Sequence, residues 1–106
     1  MALLGVDVYL QTGDGMKIES IPDPKGIVSR IMPLGDTTFH LLRYVDPSGD
    51  TIFNGLQMEQ IFIELKQLKQ RFVHGSQEEI DYICRIENMA RRCKSAPHLY
   101  LKFIGD

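Results

Sequence analysis

Residues 54–104 read NGLQMEQIFIELKQLKQRFVHGSQEEIDYICRIENMARRCKSAPHLYLKFI, and the recurrence of their apolar positions decides the fold. Met58, Ile61, Phe62, Leu65, Leu68 and Phe72 return at the three- and four-residue spacing that lines one side of a helix. Asn54 supplies an N-cap oxygen, so a helix is expected from about Gly55 to Phe72. His74-Gly75 stops it. Ser76 followed by Glu79 has the capping-box spacing, in which each side chain satisfies the other residue's free backbone N–H, and opens a second helix through about Lys94. Ile80, Ile83, Ile86, Ala90 and Cys93 form its apolar side. Ser95-Ala96-Pro97 breaks that helix, and residues 98–104 alternate as a strand with Leu99, Leu101 and Phe103 on one face.

Upstream, Leu3 to Gln11 alternates in the same way, with Val6, Val8 and Leu10 facing one side. The turn residues Thr12-Gly13-Asp14-Gly15 lead into a second alternating run, 16–21, giving a β-hairpin that Pro22, Pro24 and Gly26 end. In 27–35, Ile27, Val28, Ile31 and Met32 have helical spacing, but the β-branched content and the flanking Pro33 and Gly35 favour a short or irregular strand. Thr37 to Val45 is rich in β-formers, and Asp46-Pro47-Ser48-Gly49-Asp50 turns it toward Thr51-Ile52-Phe53 as a second hairpin. The expected architecture is a single α+β domain over 1–106. It is a two-layer sandwich of a mainly antiparallel sheet of four to six strands with two consecutive helices packed on one face, in the order β-β-(β)-β-β-α-α-β.

Composition agrees with a folded domain: 43% of residues are hydrophobic and 25% charged, so there is enough apolar surface to build one core. Twelve basic against fourteen acidic residues leave a net charge of −2, which argues against nucleic acid or an anionic membrane as partner. The start, Met-Ala-Leu-Leu-Gly-Val-Asp, lacks the basic region of a secretory signal, and the cytoplasm is the expected location. Cys84 and Cys93 stand on roughly opposite helix faces and are expected as separate free thiols.

No residue pattern points to a catalytic motif, a metal site or a cofactor, and none identifies a family. His40, His74 and His98 share no ligand spacing. Asp46 to Asp50 has the oxygen-rich look of a calcium loop but lacks its remaining acids, and turn chemistry accounts for it better. Thr12 to Gly15 is followed by strand sequence, not by the helix a phosphate loop needs. Arg85, Arg91, Arg92 and Lys94 lie on the same helix as Glu78, Glu79 and Asp81, a distribution that complements the helix dipole and suits a self-neutralising face with Asp81–Arg85 and Glu87–Arg91 pairs.

With helices over one sheet face, Asp7, Tyr9, Gln11, His98, Tyr100 and Lys102 project from the other, joined by Tyr44 and His40 if Leu41, Arg43 and Val45 turn inward. Tyrosines among charges suit a protein interface, because the ring buries area while the hydroxyl finds a partner. The expected role is a non-enzymatic protein-interaction domain, of the kind seen in small intracellular inhibitors or immunity-type proteins. It would bind a protein partner or a second copy through Tyr9, Tyr44, His98, Tyr100 and Lys102 or through an edge strand. The alternative is a small enzyme or ligand-binding protein built from His40, His98 and Asp7 or Glu19.

Overall fold

The computed structural model describes residues 5–105. Leu3 and Leu4, expected at the start of the first strand, lie outside them. Strand β1 (Val6–Thr12) turns into β2 (Lys17–Ile21), and a short helix α1 (Ile27–Ile31) follows. A long irregular stretch holding one 3-10 turn at Leu42–Tyr44 then leads to β3 (Asp50–Asn54). A 3-10 turn at Gly55–Gln57 opens α2 (Met58–Arg71), after which come α3 (Gln77–Ser95) and β4 (Leu99–Gly105).

The four strands form one antiparallel sheet in the order β2-β1-β4-β3. The last strand is therefore central. It pairs with β1 from Val6 opposite Gly105 to Thr12 opposite Leu99, and with β3 from Asp50 opposite Ile104 to Asn54 opposite Tyr100. Residues directly opposite share a face. Val8 with Phe103, Leu10 with Leu101, and Phe53 beside Leu101 thus point the same way, and all are buried. Phe53 and Phe103 meet edge to face, 5.9 Å apart. Ile27, Val28 and Ile31 of α1, Ile61, Leu65 and Leu68 of α2, and Ile83, Ile86 and Met89 of α3 belong to the same buried cluster. Helices and sheet thus form the expected α+β sandwich of two layers.

Both expected helix starts are capped by side chains. Asn54 and Gln57 form a capping box at the entry to α2, and Ser76 and Glu79 form one at α3. The Asp46–Asp50 turn also forms, with the Gly49 N–H donating to the Asp46 carbonyl at 3.3 Å. Gly105 lies so close to the Pro47 backbone that a β-carbon there has no room.

Two expectations fail in the middle of the chain. Residues 27–31 are helix, not strand, because the buried Asp23 accepts from the N–H groups of Ile27 at 2.7 Å and Ser29 at 3.2 Å. Its second oxygen also accepts from Val6 at 3.0 Å, which ties the new helix to the start of β1. Burial of Ile27, Val28 and Ile31 then outweighs their β-branched preference. Thr37–Val45 is likewise not a strand. Glu64, fully buried on α2, accepts from the N–H groups of His40 at 3.1 Å, Leu41 at 3.1 Å and Leu42 at 2.8 Å, and from the Gln60 amide at 2.7 Å. A carboxylate thereby takes the donors a sheet ladder would need. The expected second hairpin is absent, and β3 pairs with β4 instead.

Candidate functional site

The helices leave one sheet face uncovered, and pairing register fixes what stands on it. Tyr9 lies opposite Lys102, Gln11 opposite Tyr100 and Asp7 opposite Ile104. On the far side of β4, Ile52 lies opposite Lys102, Asn54 opposite Tyr100 and Asp50 opposite Ile104. One row across the sheet therefore reads Ile52, Lys102, Tyr9, Ser20. Tyr9 and Tyr100 are half-buried, whereas Ile52 is 51% exposed. The Lys102 ammonium is 3.5 Å from Asp50 Oδ2.

A bulge completes this face. The pairing of β1 with β2 slips between Leu10 and Gln11, so that Gln11 meets Lys17 and not Ile18. That extra residue brings Lys17 round to the Tyr9 side, where its Nζ sits 4.1 Å from the ring centroid. Tyr100 lies against Gly13 in the hairpin turn, close enough that a β-carbon on Gly13 would touch Cε1 at 3.4 Å. Each ring thus has a neighbour from the hairpin beside it, and both remain half-buried. Asp7 is already committed, since it accepts from the Asp23 N–H at 2.8 Å.

Of the five partner-binding residues expected from sequence, Tyr9, Tyr100 and Lys102 come together on this face. Tyr44 does not, because the strand that would have carried it is a 3-10 turn. There it is 58% exposed with the Arg43 guanidinium 4.6 Å from its ring, and Arg43 also donates to its hydroxyl. His98 precedes β4 in the left-handed backbone region, φ 67°, and breaks the alternation that would have carried it onto the face. It lines a hollow with Leu56, Glu59, Lys94 and Pro97 at the end of α3. Sequence reasoning missed Ile52, Ile104 and Lys17 as members of the face. Ile52 and Ile104 follow from strand alternation once β3 is known to pair with β4, whereas Lys17 depends on the bulge.

The residues considered for acid–base or metal chemistry are dispersed. Glu19 lies opposite Leu10 and Asp7 opposite Ile104, which puts them on opposite faces of the sheet, and Glu19 is ion-paired with Arg92. His40 adjoins the Glu64 cap through its backbone, and His74 sits in the turn between α2 and α3. Among the described residues no three His, Cys, Asp or Glu side chains form a group that could hold a metal ion. Both cysteines are free, and burial pushes the Cys93 thiol up to about 11, away from the thiolate form a nucleophile needs. No helix among the described residues is long and apolar enough to cross a membrane.

The uncovered face therefore offers two aromatic rings, two aliphatic side chains, Lys17 over Tyr9 and a Lys102–Asp50 ion pair, a combination suited to covering by another surface. Comparison with protein-family models, with curated proteins and with solved structures finds no match for the chain.

Proposed function

We propose that this chain is a non-enzymatic protein-interaction domain that binds its partner through the uncovered face of its sheet, in the manner of a small inhibitor of the immunity type. The observation that carries this reading is the register joining Ile52, Lys102 and Tyr9 in one row beside Tyr100 and Ile104. Aromatic and aliphatic side chains on hydrogen-bonded strands give up little conformational entropy when they are covered, and the neighbouring charges fix orientation.

The test is site-specific photocrosslinking in cells with benzoylphenylalanine at position 52, against a control at Leu34, which is 60% exposed but lies in the loop after α1. Adducts are expected from position 52 only, and they should vanish when Tyr9→Asp is added to a chain that still folds. Mass spectrometry of the adduct separates a second copy from a different protein. No adduct at position 52, or equal adducts at both positions, refutes the reading.

A further inference from the structure

The opposite side of the molecule carries a second surface, independent of the sheet face. α2 and α3 are joined by a short turn and pack side by side, leaving a groove along their outer side. Two hollows of about 600 Å³ share Lys66, Glu87 and Arg91 and so run into one another along the groove. Its length follows from α3: from Gln77 to Ser95, at ~1.5 Å per residue, the groove extends about 27 Å, or about five helical turns.

The groove's charge runs against that of the chain. The molecule carries −2, yet Lys66, Lys69, Arg91 and Lys94 line this groove with Glu87 as the one carboxylate among the lining residues. Lys69 at 2.9 Å and Arg91 at 3.7 Å both converge on Glu87, so one carboxylate serves two cations. Lys94 reaches Glu59, and Lys66 has no ion-pair partner among the described residues. Between the charges lie Phe62, Ile80 and Val73, the last 62% exposed. A phosphate backbone would use the cations and leave the apolar residues uncovered. A helix with acidic and apolar sides uses both, because a groove between two packed helices accepts a third.

We infer that the groove between α2 and α3 binds an acidic amphipathic helix of a partner protein, its carboxylates meeting Lys66, Arg91 and Lys94 and its apolar side covering Phe62, Val73 and Ile80. The test is selection of a random displayed library of peptides of roughly eighteen residues, long enough to span the groove as a helix, on the immobilised full chain. The selected peptides should carry Asp or Glu between apolar residues at three- and four-residue spacing. Their affinity should fall about tenfold or more in the Lys66→Glu/Arg91→Glu variant, and also in Val73→Asp, while Leu34→Asp, on the exposed loop after α1, leaves it unchanged. Circular dichroism confirms that each variant is folded. Failure to select any peptide, selection of peptides without acids, or equal binding to the charge-reversed variant overturns the inference. So does binding of phosphatidylserine vesicles or a single-stranded oligonucleotide that charge reversal abolishes when no acidic peptide has been selected.

Discussion

Glu64 shows how one side chain can set the path of a distant segment. It stands three residues after Ile61 and four before Leu68, on the apolar stripe of α2, where a carboxylate is expensive to bury unless its oxygens are fully used. They are used, by three consecutive backbone N–H groups and the Gln60 amide. Replacement by Leu keeps the stripe apolar but leaves those backbone donors without an acceptor. At about 1–3 kcal/mol for each group left buried and unpaired, Glu64→Leu should lose about 3 kcal/mol or more of stability in urea unfolding. Glu64→Gln should fall between the two, since an amide turned either way sets its NH2 against a backbone N–H. A Leu variant as stable as the parent would mean that the 40–42 segment is held by packing alone. The position of Glu64 on the stripe was the visible signal in the sequence. Its partners, 22 to 24 residues away, were not visible.

The two long helices are the elements that local sequence describes best. Ser76 illustrates why: its Oγ accepts from the Glu79 N–H at 3.4 Å while Glu79 Oε1 accepts from the Ser76 N–H at 3.1 Å, so both halves of the cap lie within four residues. Ser76→Ala should cost about 1 kcal/mol and lower the melting temperature by about 4–8 °C, read by thermal unfolding monitored at the helical circular-dichroism band. An unchanged melting temperature would show that packing of α3 makes the cap redundant. The expected charge pairs on α3 divide. Arg91 does meet Glu87, but Asp81 accepts from the Gln77 amide at 2.9 Å and Arg85 lies over the Tyr82 ring. Strands β1 and β4 were equally legible, because alternation alone separates Val8, Leu10, Leu101 and Phe103 from Tyr9, Tyr100 and Lys102. The segment 37–45 was not, since its β-forming residues describe what the backbone could do, not which acceptors it meets.

At the scale of the whole molecule, one polar clasp between distant pieces has a defined pH dependence. Arg71, at the end of α2, donates to Asp36 Oδ2 at 2.8 Å and stacks over Phe39 at 4.7 Å, fastening the irregular stretch to the helical layer. Hydrogen bonds from Thr38, its hydroxyl first and its backbone next, and then Arg71 hold the Asp36 carboxyl down at about 2, against an ordinary value of 3.8. Because the folded value is the lower one, the clasp stabilises fully above about pH 4 and fades as pH falls toward about 2. Urea midpoints measured between these limits should fall with acid, and Asp36→Asn should flatten that part of the decline. Parallel profiles for the two proteins would place the acid sensitivity elsewhere.

The sequence by itself determined the two capped helices, the first hairpin, the final strand and the one-sided burial of the sheet, because caps, turns and apolar periodicity act among residues a few positions apart. Only the tertiary structure decided that 27–31 is helix and 37–45 is not strand, that β4 lies between β1 and β3, and that a basic groove runs along α2 and α3. Those outcomes depend on which acceptor a backbone N–H finds and which surfaces meet across the chain. Glu64 met the N–H groups of residues 40–42 only once the fold had brought them within reach. Asp23, by contrast, lies four residues before Ile27, and it was the burial of Ile27, Val28 and Ile31 that only the tertiary structure supplied.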